Sequence, residues 1–150
     1  MRRFALAVLA TTCMDLALAD GFREIGREGR LTEYEGELRL SGQFDRRQDA
    51  ETLVWRGDRV CFHPDAAAQA KLPASAEGKG GTRYFCFSNH RAALEKFQLA
   101  ALPPAGSCGM SGKASVVITR YTVETGGNVF DQAWLERVEK VDAKTPLACP

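Results

Sequence analysis

The fold is decided by the stretch 34–44, which reads Tyr-Glu-Gly-Glu-Leu-Arg-Leu-Ser-Gly-Gln-Phe. Its apolar and small residues fall on every second position, and its charged and polar residues fill the positions between them. An alternation of period two over eleven residues predicts a long, half-buried β-strand. The glycines at 36 and 42 lie on the apolar face, where they indicate bends or a close approach of another backbone.

Further strands are predicted on the C-terminal side of this stretch. Residues 52–63 indicate a hairpin around Gly57-Asp58, with one continuous bent strand as the alternative. Residues 83–88 place Phe85 and Phe87 on one face of a short strand, and the β-branched stretch 114–124 predicts another long strand. The aromatic side chains of these strands are expected to form the core.

Helices are predicted in two longer segments and one short one. Asn89 is a good N-cap for a helix from His90 to about residue 99. Asp131 similarly precedes a stretch to Val141 in which Trp134, Val138 and Val141 recur at helical spacing. Residues 65–71 are expected to form two helical turns.

This order of elements predicts a mainly β fold with two helices, in the α+β class. Several antiparallel strands with one helix before the last long strand resemble the oligonucleotide/oligosaccharide-binding (OB) barrel, a small, partly open five-stranded design. The resemblance is one of element order and covers residues 34–124. The alternative is an open antiparallel sheet with both helices on one face.

The first 19 residues have the three parts of a secretory signal peptide. Arg2 and Arg3 precede an apolar segment, and the small residues Ala17 and Ala19 precede a cleavage point at Asp20. We therefore expect a periplasmic or secreted protein. Residues 20–33 are predicted to be a loosely ordered lead-in, and residues 34–150 a single disulfide-braced, β-rich domain.

Four cysteines follow the predicted signal peptide, as expected of two disulfides in an oxidising compartment. Cys61 and Cys86 lie in similar strand-like sequences, whereas Cys108 and Cys149 lie in coil rich in Pro and Gly. We therefore predict the pairs 61–86 and 108–149. The alternative is a zinc site formed by Cys61, His63, Cys86 and His90, which has the right ligand types but an unusual spacing.

Composition and charge exclude several classes of protein. The chain has 20 Lys and Arg against 19 Asp and Glu, and basic and acidic residues balance once the signal peptide is removed. A nucleic-acid partner would normally require a clear basic excess. The chain also lacks the run of about 18 apolar residues that a transmembrane helix requires, so no stable membrane insertion is expected.

No sequence motif for a nucleophile, a metal, a phosphate or a nucleotide is present, so no catalytic residue or cofactor is predicted. We expect a non-enzymatic binding or interaction module whose partner is a periplasmic or extracellular protein or another ligand. Tyr84, Arg120 and Tyr121 are the candidate binding residues, because each could be exposed on a strand. The alternatives are an inhibitor or immunity protein of an enzyme in that compartment, and a small hydrolase or metal-binding protein that uses His63 and His90.

Overall fold

The computed structural model describes residues 21–48, 58–73, 83–100, 102–125 and 130–149. Strands form most of its regular structure. The elements, in chain order, are β1 (Arg23–Glu28), β2 (Leu31–Arg47), β3 (Val60–Pro64), α1 (Ala66–Gln69), β4 (Phe85–Phe87), α2 (His90–Lys96), β5 (Gly109–Glu124), β6 (Asp131–Val141) and β7 (Thr145–Pro146). The predicted mainly β character is therefore confirmed, and of the two longer helices predicted, only the one that begins at His90 is a helix.

The alternating stretch 34–44 lies within β2, the longest strand. Leu38, Leu40 and Phe44 are buried. The polar residues that alternate with them, at positions 39, 41 and 43, are exposed. The strand continues beyond the predicted stretch at both ends and pairs with β1, β3 and β5. The alternation thus predicted both the element and its buried face.

The strands form one mixed sheet in which a ring of hydrogen bonds returns to its starting strand. The ring runs from β2 through β3, β4, β6 and β5, and the pairing of β5 with β2 closes it. All of these pairings are antiparallel except that of β4 with β6, so the sheet is mixed rather than purely antiparallel.

Aromatic side chains fill the core inside this ring. Phe62, Phe85 and Phe87 are fully buried, as predicted, and contact one another. Helix α2 contributes Phe97, whose ring centroid lies 4.6 Å from that of Phe44 and 5.7 Å from that of Phe87. The helix therefore covers part of the core with one large apolar side chain.

Gly42 lies where β2 and β3 approach closely, as its position on the apolar face predicted. A Cβ atom added there would overlap the backbone of His63 and Pro64 and touch the ring of Phe62. A larger residue at position 42 would therefore push the two strands apart, which is the physical reason for a glycine in this strand.

The predicted helix over residues 131–141 is wrong, because this segment is strand β6. In its pairing with β5, the register skips Glu136 and Glu139, which are bulged residues. Two bulges in a strand change the spacing of the inward side chains from two residues to three. The residues at 135, 138 and 141 therefore face the core at a spacing that imitates a helix.

Residues 20–33 were expected to be a loosely ordered lead-in, but most of this segment is regular. Residues 23–28 form β1, which pairs antiparallel with the start of β2. The side chains of β1 are mostly exposed, so the segment lacks the apolar alternation by which a strand is recognised in sequence. Backbone pairing to an existing long strand forms it instead.

Asn89 precedes α2, as predicted, but its side chain does not cap the helix. The side-chain amide instead donates to the carbonyl of Leu135, 2.8 Å away, and accepts from the amide of the same residue at 2.9 Å. The register of β4 with β6 ends at Ala133, so the Asn89 side chain supplies hydrogen bonds to the β6 backbone just beyond the end of β4.

Two sequence predictions concern residues outside those that the structure describes. They are the signal peptide over residues 1–19 and the hairpin arm over residues 52–57. The helical turns predicted over residues 65–71 are present as α1. The Asp65 side chain caps this helix by accepting a hydrogen bond from the amide of Ala68 at 2.8 Å.

Candidate functional site

Tyr121, one of the three candidate binding residues, is not on the surface. It is 1% exposed, and its hydroxyl donates to the Asp131 carboxylate at 2.7 Å. Burial, together with the nearby Asp131 charge, raises the pKa of the Tyr121 phenol. Because the ring packs on Phe85 inside the sheet, Tyr121 is a core residue in this structure.

Asp131 connects three strands at the end of the sheet where β6 begins. Besides Tyr121, its carboxylate accepts from the amide of Glu124 at 3.3 Å and lies 3.6 Å from the guanidinium of Arg83. Arg83 also donates to the carbonyl of Pro73 at 2.6 Å. This network fixes the backbone on both sides of Tyr84, the second candidate residue.

Tyr84 belongs to a row of stacked side chains on the outward side of β3 and β4. Its ring lies 5.2 Å from the imidazole of His63 and 6.3 Å from Phe130, both nearly parallel to it. The guanidinium of Arg59 lies over Phe130, 5.6 Å from the ring centroid. We call His63, Tyr84, Phe130 and Arg59 the ring row.

The ring row covers a cross-strand disulfide. Cys61 and Cys86 are paired in register, their sulfurs are at disulfide distance, and both residues are fully buried. Cys108 and Cys149 form the second pair, so both pairs match the strand and coil environments that predicted them. Sulfurs joined in this way offer no thiolates for the alternative zinc site of Cys61, His63, Cys86 and His90, so the structure favours the disulfide prediction.

The two histidines lie at different ends of β3. His63 lies near the end of the strand, where its Nε2 is 3.4 Å from the Asp45 carboxylate. His90 begins α2 and lies near the charges of Asp58 and Arg46. Asp58 precedes β3, and Arg46 pairs with Val60 at the start of β3. The two imidazoles therefore lie in separate surroundings and do not face one common site in this structure.

Around His90, a buried arginine is held by a bidentate ion pair. Arg46 is 4% exposed and donates to both Asp58 oxygens at 2.8 and 2.6 Å, and it also donates to the carbonyl of Ala100. Burial opposes the charge on Asp58, but hydrogen bonds from Arg46 and Gln48 hold the pKa of its carboxyl below the ordinary value. Burial lowers the pKa of His90, and the positive charges of Arg46 and Arg59 add to this effect, while Asp58 opposes it. Arg46 and Asp58 therefore connect β2 to the segments that precede β3 and follow α2, which is a structural role.

Arg120, the third candidate, is exposed and lies in a cleft between β1, β2, β5 and β6. Its cross-strand neighbours are Glu35 on β2 and Trp134 on β6. The cleft has a volume of about 180 Å³ and adjoins a more open depression beside Arg120 and Trp134. Its lining comprises Ile25, Glu33, Tyr34, Ser88, Arg120, Thr122, Gln132, Ala133 and Trp134. We call it the Arg120–Trp134 cleft.

Within the described part of the chain, the charged groups of this cleft have no ion-pair partner. The guanidinium of Arg120 lies within 4 Å of no carboxylate, although Glu35 is its register neighbour, and Glu33 is likewise not paired. Nearby, by contrast, Glu37 lies 3.1 Å from Arg137, and this hydrogen bond raises the pKa of Arg137. Arg120, Glu33 and Glu35 therefore retain donors and acceptors for a ligand.

Trp134 is the functional candidate that sequence reasoning missed. The helical spacing assigned it to a buried stripe, but on β6 it faces outward and is 44% exposed. Ile25, 47% exposed on the opposite wall, was missed because it lies in the supposed lead-in. The sequence contained only a local signal. Trp134 lies between two small or apolar residues, Ala133 and Leu135, and in a strand these two share the face opposite to Trp134.

Two further features of the described residues concern membranes and metal ions. None of the helices described here is long and apolar enough to cross a membrane. The same residues contain no group of three or more His, Cys, Asp or Glu side chains arranged to hold a metal ion. Comparison with family models, with curated proteins and with solved structures found no match to this chain.

Proposed function

We propose that the chain is an exported, non-enzymatic binding module, and that the Arg120–Trp134 cleft is its binding site. The observation that carries this proposal is the set of exposed groups in one concavity. Trp134, Arg120 and the Glu33 carboxylate line the cleft, Glu35 lies in the adjoining depression, and the charged groups have no partner among the described residues. A concave site with few convergent polar groups is the ordinary form of a ligand site.

Export is supported by the cysteines. Two cysteine pairs at disulfide distance fit an oxidising, extracytoplasmic location. Cleavage after Ala19 is the corresponding proposal for the N-terminus, and intact-mass measurement of the exported protein tests it. A chain that begins at Met1 in exported material would contradict cleavage.

An OB-like arrangement is the finer proposal for the fold. The ring of five strands β2, β3, β4, β6 and β5, with α2 between β4 and β5, supports it. Domains of this design bind oligosaccharides and oligonucleotides on an outer strand face and its neighbouring loops. The balanced charge of the chain favours a ligand other than nucleic acid.

The test is a pull-down from an extract of the cell envelope, with wild type and two variants as bait. Trp134→Ala removes the exposed ring from the cleft, and Leu102→Ala is the matched control, because Leu102 is also an exposed apolar residue and lies outside the cleft. We expect a captured component that Trp134→Ala loses and Leu102→Ala retains.

Other results would contradict the proposal in defined ways. Stoichiometric capture of an enzyme that survives Trp134→Ala would favour the inhibitor or immunity alternative and a different surface. Hydrolytic turnover that is lost in His63→Ala or His90→Ala, without loss of folding, would favour the hydrolase alternative.

A further inference from the structure

The polar groups of the Arg120–Trp134 cleft and of the adjoining depression form two adjacent rows across the strands. Glu35, Arg120 and Trp134 are register neighbours on β2, β5 and β6. Glu33, Thr122 and Gln132 form the next row on the same strands. Each row thus contains both donors and acceptors, spaced by the distance between neighbouring strands, about 4.8 Å.

Two exposed apolar side chains lie on opposite sides of this polar field. The indole of Trp134 is 44% exposed, and the side chain of Ile25 on β1 is 47% exposed across the cleft. An exposed indole offers a broad, rigid surface on which an apolar ligand face can be removed from water, and it also offers one N–H donor. A matching ligand therefore needs an apolar face and a polar rim.

The size of the cleft limits the ligand further. Its volume of about 180 Å³ is below the roughly 300 Å³ at which pockets for drug-sized molecules begin, so the cleft accepts a single ring. It adjoins the open depression beside Glu35, Arg120 and Trp134, so neighbouring units of a longer chain have room outside it.

The charges of the cleft allow two chemical classes of ligand to be compared, namely a zwitterion and a molecule that carries several hydroxyl groups. A zwitterion, such as an amino acid, would pair its carboxylate with Arg120 and its ammonium with Glu33 or Glu35. All three side chains are exposed, and ion pairs between exposed groups contribute little to binding because water and salt screen them. Hydroxyl groups both donate and accept, so each hydroxyl can bond to either kind of group in the two rows.

We infer that the cleft binds a pyranose ring of a glycan, an inference that rests on the proposed function of this site. The C–H face of the sugar packs on the indole of Trp134. Arg120 donates to ring hydroxyls, and the carboxylates of Glu33 and Glu35 accept from them. Further sugars of the same glycan extend into the open depression beside Arg120.

The test is a titration of the ¹⁵N-labelled protein with three soluble glycans, namely cellotetraose, maltotetraose and the tetramer of N-acetylglucosamine. The indole N–H signal of Trp134 reports binding directly, and Trp134→Phe assigns it. We expect at least one glycan to shift this signal and the amides of β5 and β6 around Arg120. Trp134→Ala should weaken that binding by about tenfold or more, and Trp134→Phe by less, because a phenyl ring still stacks.

Matched controls separate contact from folding. Arg120→Gln should weaken binding severalfold, whereas Arg91→Gln, an exposed arginine on α2, should leave it unchanged. Leu102→Ala should also bind as wild type. Each variant is first shown to keep the dispersed amide spectrum of the folded protein.

Three results would overturn the inference. The first is the absence of any shift around Trp134 with all three glycans, and the second is glycan binding that Trp134→Ala does not weaken. The third is binding of the dipeptide Gly-Phe at the cleft without binding of any glycan, which would retain the proposed binding site and reject the sugar. Loss of the sugar is thus distinguishable from loss of the site.

Discussion

The ring row and the Arg120–Trp134 cleft lie side by side on the outside of the same sheet, but their side chains are used differently. Gln132 lines the cleft and is the register neighbour of Cys86 beneath the ring row, so the two surfaces adjoin. In the ring row each aromatic group contacts the next, and Phe130 is only 8% exposed. In the cleft, Trp134 is exposed and the charged groups around it have no ion-pair partner among the described residues.

This difference shows that aromatic residues alone do not mark a binding site. The ring row encloses a disulfide and forms a small second core on the outer face, so its rings stabilise the chain itself. The cleft leaves the indole of Trp134 44% exposed, which is the condition expected of a side chain that contacts a ligand. Predictions that separate stability from binding therefore test the comparison.

The largest expected effect comes from removing the disulfide beneath the ring row. Replacing both Cys61 and Cys86 by alanine should lower the free energy of unfolding by about 4 kcal/mol, because it frees a loop of 25 residues in the unfolded chain and leaves a void under Phe130. Urea unfolding measures this loss. A loss below about 1 kcal/mol would show that the ring row does not depend on the disulfide.

Phe130→Ala is the next prediction and removes one ring from the row. We expect a loss of about 3 kcal/mol in the free energy of unfolding, because the ring is buried against the disulfide and beneath Arg59. Binding at the cleft should persist wherever the variant is folded. An unchanged unfolding midpoint would mean that Phe130 is not part of a second core.

Trp134→Ala provides the contrasting case of a larger aromatic residue. Because Trp134 is 44% exposed, we expect a change of no more than about 0.5 kcal/mol in the free energy of unfolding. The same urea titration measures it beside Phe130→Ala. A loss above about 2 kcal/mol would assign the indole to the structure and remove the contrast between the two surfaces.

The sequence predicted those parts of the fold that depend on regular alternation. The stretch 34–44 identified β2 and its buried face, and the aromatic strands at 62 and 85–87 identified the core. It did not predict β6, because its two bulges shift the inward positions to a helix-like spacing. It did not predict β1, because an exposed strand formed by backbone pairing carries no apolar pattern.

The candidate site depended on those two missed elements. Arg120 was identified from the well-predicted β5, but its neighbours Trp134 and Ile25 lie on β6 and β1. Tyr121 is adjacent in sequence to Arg120, and single-sequence reasoning could not decide which of the two faces inward, because apolar residues occur on both faces of this strand. A site built across strands requires the register of those strands, which the sequence pattern of each strand does not contain.

The smallest expected effect is a pH dependence that lies outside both surfaces, at the ion pair of Arg46 and Asp58. Burial lowers the pKa of His90 in the folded protein, and its Nδ1 is buried without a hydrogen-bond partner, so a proton binds more tightly to the unfolded chain. Stability should therefore be complete above the ordinary histidine pKa of about 6.5 and decline as the pH falls from there towards the lowered value.

His90→Gln should reduce this decline, which thermal unfolding of both proteins between about pH 7 and about pH 5 would measure. His63→Gln is the control, because it removes the histidine of the ring row and leaves His90 with its neighbours Asp58 and Arg46. If His63→Gln removed the decline and His90→Gln kept it, the pH-sensitive group would lie in the ring row. The second core, rather than the buried ion pair, would then be the part of the molecule that responds to acid.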